Sequence, residues 1–132
     1  DLAAINVVAD GQANGRISRE NLKLAASSAG ELNLDLTCDK LSLHLTSGAE
    51  AKLKGTSNFV RITGGSGADV DAKSLQVNNC VARIGSGMDV DISVGDTLVA
   101  DVSSGADLTY FGSPYLGNIN IGSGGDLNHG ND

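Results

Sequence analysis

The chain has 132 residues, enough for one domain with a core of its own and too few for two. Hydrophobic residues make up 40% and aromatics 3%, too apolar for a disordered linker and too poor in rings for an ordinary globular core. Nine Lys and Arg against 16 Asp and Glu give a net charge of -7 with no basic run, which argues against nucleic acid or an anionic membrane surface as partner; no apolar stretch approaches the length of a transmembrane segment.

In chain order, residues 1–20 read as an irregular first coil or cap, with turn signals at Asp10-Gly11 and Asn14-Gly15 between Ile5 and Ile17. The chain begins at Asp1 without a secretory leader, as a processed secreted protein would. From residue 21 a repeat takes over. Its marker is Ser-Gly-Ala or a close variant, at Ser47, Ser66, Ser86, Ser104 and Ser123, spaced 19, 20, 18 and 19 residues apart. A further step back reaches the degenerate Ser28-Ala29-Gly30. A period near twenty is a solenoid signature.

On both sides of each marker, aliphatic residues alternate with polar ones. Leu41, Leu43 and Leu45 precede Ser47, and Ala49, Ala51 and Leu53 follow it. Val60 and Ile62 precede Ser66, and Met88, Val90 and Ile92 follow Ser86. Period-two alternation flanking a glycine turn predicts two short strands per repeat, each with one buried face. Because the glycine turn recurs at one phase of a long period, the expected fold is an all-β, single-stranded parallel β-helix of about six coils of about 19 residues. The glycine after each serine is expected to supply the positive φ of a sharp corner. A second, looser corner is placed at Gly55–Asn58, Asn78-Asn79, Gly95–Thr97 and Gly112–Pro114, and its variable length is expected to absorb the jitter in spacing. Regular coils are expected over residues 21–128 and a frayed tail over 129–132, all within one domain. Cys38 and Cys80 fall at different phases of the repeat and read as buried thiols.

The third residue after each marker serine is acidic: Glu31, Glu50, Asp69, Asp89, Asp107 and Asp126. Stacked coils would bring these into one solvent-facing column, thickened by Asp71 and Asp91. Like charges so placed repel one another. The preferred account is that each carboxylate accepts a backbone N–H at the corner and discourages edge pairing. A second is that Ca²⁺ bridges neighbours, with Asp69, Asp89 and Asp107 as the candidate ligands, although the Gly-rich calcium nonapeptide is absent. A third is that the column docks a basic partner. Candidate binding-surface residues are therefore Glu50, Asp69, Asp89 and Asp107, joined by Phe111 and Tyr115 around the last loose corner, where the preferred account is that they cover the corner and the alternative that they contact a sugar or protein. Another outward column holds His44, Thr63, Arg83 and Asp101, the face on which a carbohydrate-processing β-helix would carry catalytic groups. His44 and Arg83 are two coils apart, no insertion builds groove walls, and neither histidines nor cysteines have a zinc spacing. No catalytic residue, resident metal or cofactor is assigned.

The string Ser66-Gly67-Ala68-Asp69-Val70, the run Ser103–Pro114 and the closing Ile121–Gly125 resemble the head domain of bacterial auto-transporter adhesins, the GIN domain. The likeness covers about residues 20 to 128, and its most specific part is Tyr110-x-Gly112-x-Pro114 followed by Gly122-Ser123-Gly124-Gly125. It implies a β-helical fold, a secreted, periplasmic or cell-surface location in Bacteroidetes-like bacteria, and an adhesion role toward a protein or glycan ligand. Members carry a longer N-terminal portion, so it also implies a fragment or a short member. The rival readings are a carbohydrate-processing enzyme and a purely structural envelope protein. The chain is expected to be either a monomer or a homo-oligomer formed away from the acidic column, through a weakly polar face at Thr63, Gly65, Val81, Gly85 and Val99, or end to end.

Overall fold

The computed structural model describes residues 2–7, 12–26, 28, 30–122 and 124–130. The turn residue Ser123, the Asp10-Gly11 signal and the last two residues of the expected tail lie outside them. Nine strands form one parallel sheet wound into a solenoid: β1 (Leu2–Val7), β2 (Gln12–Ala26), β3 (Glu31–Leu45), β4 (Glu50–Gly64), β5 (Asp69–Ile84), β6 (Asp89–Val102), β7 (Asp107–Phe111), β8 (Tyr115–Ile121) and β9 (Asp126–His129). All pairings are parallel, with β1 through β7 stacked in order, β9 on β7 and β8 on β6. The register starts at Leu2, opposite Asn21, upstream of the residue 21 at which regular coils were expected, and it reaches His129 opposite Tyr110.

Each full coil is one ladder and not two separate strands. β3 runs through both expected strands, and its loose corner is a bend at Asp39-Lys40, where two successive residues face solvent. That doubled exposure switches the inward parity: Leu32, Leu34, Leu36 and Cys38 point inward before the bend, and Leu41, Leu43 and Leu45 after it. Residues between the Ser-Gly turn and the bend form the first face of the solenoid, and those from the bend to the next turn form the second. Stacked coils turn each inward position into an aliphatic column, as in Val70, Val90 and Leu108. Ile62, Val90 and Val102 are at most 1% exposed, as the alternation requires. Cys38 and Cys80 are buried free thiols; burial pushes the Cys80 thiol up to about 12, so it stays protonated and inert.

The sharp corner is tighter than expected, because the serine also adopts a left-handed conformation. φ is 56° at Ser47 and 77° at Gly48, with near-identical pairs at Ser66-Gly67, Ser86-Gly87 and Ser104-Gly105. Ala49 N–H donates to the Thr46 carbonyl at 3.1 Å, and Ala106 N–H to Ser103 at 3.0 Å. Two successive positive φ values closed by this bond define a type I′ turn. The turns also stack: Gly48 N–H donates to the Ser66 carbonyl, Gly67 to Ser86 and Gly87 to Ser104, each at 3.0 Å. Since Asn tolerates this region better than Ser, Ser66→Asn is expected to stabilise the fold by about 0.5 kcal/mol, read as a rise in thermal midpoint.

The jitter in spacing does not arise at the loose corner alone. β5 shifts register against β4 between Lys52 and Lys54, and against β6 between Ala72 and Gln76, both on the first face. Lys73 and Ser74 both face outward there, a bulge that returns Leu75 and Val77 to the core. Ser93 Oγ donates to the Lys73 carbonyl at 2.6 Å and holds the bulge.

The last coil also departs from expectation. Ile121 lies in a core column opposite Val102 but is 49% exposed, and Leu116 is 39% exposed. Among the described residues β8 pairs with β6 on one edge only, and no described strand stacks on its other edge.

Candidate functional site

The acidic residues stack as their spacing demands. Glu31, Glu50, Asp69, Asp89, Asp107 and Asp126 are successive register partners on the first face, with Gln12 in the same column below Glu31. Neighbours are therefore about 4.8 Å apart along the axis. A second column two residues on contains Lys52, Asp71, Asp91, Thr109 and Asn128. Between the two columns lies an open dish of about 410 Å³, lined by Asp89, Asp91, Asp107, Thr109, Asp126 and Asn128.

The corner N–H groups are not available to this column. They donate to serine carbonyls of the next coil, and the backbone N–H groups of Glu50, Asp69, Asp89, Asp107 and Asp126 donate to carbonyls of the preceding one. Among the described residues no hydrogen bond reaches these five carboxylates, which corrects the expectation of carboxylates bound to the turns. Among the described residues no group of three or more His, Cys, Asp or Glu side chains is placed to hold a metal ion.

Burial, opposed by the Lys73 ammonium and reinforced by Asp71 and Asp89, holds the Asp91 carboxyl above its ordinary value. A raised folded-state value means that the folded protein binds the proton more tightly than the unfolded chain. Stability then falls as pH rises from the ordinary carboxylate range through the folded value, and the full cost is present at neutral pH. Asp91→Asn is accordingly expected to raise the thermal midpoint at pH 7, with the gain shrinking in acid as the wild-type carboxyl becomes protonated. Thermal melts across pH measure this directly.

Phe111 lies on the first face at the end of β7, with Lys73 Nζ 5.6 Å from its ring centroid. Tyr110 stacks on His129 at 4.7 Å, and His129 Nε2–H donates to the Gly112 carbonyl at 2.6 Å, so the end of β9 packs on this corner. Tyr115 opens β8 on the second face, 75% exposed. The structure thus unites Glu50, Asp69, Asp89 and Asp107, places Phe111 on the same face beyond the bulge, and leaves Tyr115 apart. His44, Thr63, Arg83 and Asp101 do form a column, in which His44 Nδ1 and Thr63 Oγ1 are 2.9 Å apart. It lies on the outward side of the second face. On this face Val81 and Val99 are half-buried partners, while Gly65, expected outside, is buried.

One surface was missed by the repeat-based reading. Lys23, Ser42 and Arg61 are successive register partners on the second face, and Asn21, Lys40 and Phe59 form the column beside them. Together they line a shallow groove of about 540 Å³. The signal was present in the order of charges: no Lys or Arg follows Arg83, so residues 84–132 carry the whole net charge and the first 83 residues are electroneutral.

A family model described as "Putative auto-transporter adhesin, head GIN domain" matches residues 1–114. The match starts before the likeness read from the repeats and stops short of the closing Gly-Ser-Gly-Gly. A crystal structure titled a putative adhesin from Parabacteroides merdae ATCC 43184 superposes with a TM-score of 0.92 at 15% identity, over 98% of this chain and 57% of that one. Another putative adhesin, from Bacteroides fragilis NCTC 9343, gives 0.76 at 19% identity, over 94% of this chain and 56% of that one. At such identities the superpositions establish the fold. This chain spans a little over half the length of either structure. No curated protein matches the chain in sequence.

Proposed function

The chain belongs to the auto-transporter adhesin head GIN-domain family, and from that premise we propose that it is a non-catalytic binding module displayed outside the cytoplasm, at the bacterial surface. The observation that carries the reading is the form of the solenoid: its outer faces present stacked ladders of polar side chains, acidic on the first face and mixed on the second. Ladders of this kind suit repeated weak contacts along an extended partner. On the first face the contacting residues would be Glu50, Asp69, Asp89 and Asp107, with Phe111 at the rim and Tyr115 around the corner. No helix of the described residues is long and apolar enough to cross a membrane.

The test is binding of the purified protein to host cells, matrix proteins and a glycan panel, with polysaccharide chain length followed in parallel. Saturable binding without loss of chain length is expected. Turnover of a polysaccharide would replace this reading with the enzymatic one. Leu116 and Ile121, exposed on β8 among the described residues, favour association of copies through this strand as an additional property. Light scattering at high protein concentration should then give a mass above that of the monomer, and an unchanged monomer mass would remove it.

A further inference from the structure

We propose that the groove formed by Lys23, Lys40, Arg61 and Phe59 on the second face binds an acidic polysaccharide. This rests on the reading of the chain as a binding module only in that no bond of the ligand is broken. Lys23, Lys40 and Arg61 are exposed, and among the described residues no carboxylate pairs with them; the ion pair described nearby joins Arg16 to Asp35 on the first face. Three unpaired cations within three successive coils are a concentration of positive charge in a chain whose net charge is -7.

The arrangement selects the ligand class. Lys23 and Arg61 occupy one column two coils apart, about 10 Å along the axis, and Lys40 sits between them one column over. An acidic polysaccharide carries one carboxylate or sulfate per one or two sugar rings, a spacing comparable with one or two coils. A polynucleotide, with one charge per ~1.7 Å of duplex, needs a denser cationic track than three side chains provide. An acidic peptide is poorly served as well, because this surface is the face of a sheet and offers no open edge for strand addition. Phe59, half-buried between Lys40 and Asn79 in its column, presents a ring against which the apolar face of a sugar can lie. Half-buried Asn21 and Ser42 add polar groups within the same groove.

Charge elsewhere fixes how the ligand lies. Glu20 and Asp39 are exposed at the adjoining bend, so a polyanion is pushed off the corner and onto the line from Lys23 to Arg61. The cation-free coils begin with β6, two coils beyond Arg61, about 10 Å away. That exceeds the Debye length of about 8 Å at physiological salt, so their repulsion is largely screened at the groove.

The experiment is calorimetry with a sulfated glycosaminoglycan, a carboxylate-only polysaccharide, neutral dextran and polyglutamate, paired with ligand chain-length analysis. Both acidic polysaccharides should bind with an affinity that falls as salt rises, and dextran should not bind. Lys40→Glu and Arg61→Glu should each weaken binding roughly tenfold or more. Phe59→Leu should weaken the polysaccharides and leave the salt dependence unchanged. Asp69→Asn and Asp89→Asn, on the other face, should leave binding intact. Undiminished affinity in the Lys40→Glu, Arg61→Glu double variant overturns the assignment, as does polyglutamate binding more tightly than either polysaccharide. Shortening of the ligand would instead remove the non-catalytic reading and leave the groove as its binding site.

Discussion

Val90→Asp is expected to abolish cooperative folding at room temperature. Val90 is 1% exposed and stacks between Val70 of the coil below and Leu108 of the coil above. An aspartate there must either hold an unpaired charge in an aliphatic column or take up a proton, and its neighbours in the column offer no hydrogen-bonding side chain. The cost is on the order of 5 kcal/mol, against a typical domain stability of about 5–15 kcal/mol. The adjacent Asp89 makes a strict control, since successive strand residues face opposite sides. Asp89→Ala removes one exposed carboxylate from a self-repelling column and is expected to leave the melting temperature unchanged or slightly raised. Circular dichroism melts of the pair measure both effects, and comparable losses in the two variants would refute the assigned parity.

Gly55→Ala is expected to destabilise by about 3 kcal/mol or more, a large loss for a single methyl group. Gly55 has φ of 114°, a region that side chains rarely adopt. An added Cβ would also run into the backbone carbonyl of Leu36, its register partner in the coil below. That obstacle is main chain held in a parallel ladder, so it cannot swing away as a side-chain tip would. Gly95, at the bend of β6, lacks these constraints: a Cβ added there would lie 3.9 Å from the Val77 carbonyl oxygen, its nearest contact. Gly95→Ala should therefore change stability by no more than about 0.5 kcal/mol. Denaturant titrations of the two variants test whether close stacking of coils, and not glycine content as such, makes Gly55 indispensable.

Much of this architecture is readable from the recurrence of Ser-Gly-Ala. The marker fixes the phase of the coil, and the alternation around it separates Val90 from Asp89 and Ile62 from Thr63. The acidic column follows from the same arithmetic, since a constant offset from a stacked turn is itself stacked. What the repeat could not convey was local. Serine is not a residue from which positive φ is inferred, so the type I′ geometry emerges only when both central residues are seen together. The bulge at Lys73-Ser74 depends on how β5 fits both β4 and β6, a property of three coils at once. The absence of bound N–H groups at the carboxylates depends on where those groups go, which is to carbonyls of neighbouring coils. The cationic groove was obscured for a different reason. Lys23 and Arg61 share one offset from the marker, but Ser42 interrupts their column and Lys40 belongs to the next; the three converge because residues two apart along a strand project from the same face.

Every surface assigned above rests on the in-register stacking of coils, and distances between spin labels test it most directly. With Cys38→Ser and Cys80→Ala as background, labels are placed at Glu31 and, in turn, at Asp89, Asp107 and Asp126. These positions lie three, four and five coils from Glu31 in one column. The parallel solenoid predicts that the measured distance grows by about 5 Å with each additional coil. Distances that fail to increase from Asp89 to Asp107 to Asp126, or that change by much more than one strand spacing per step, would contradict the stacking and every surface built upon it.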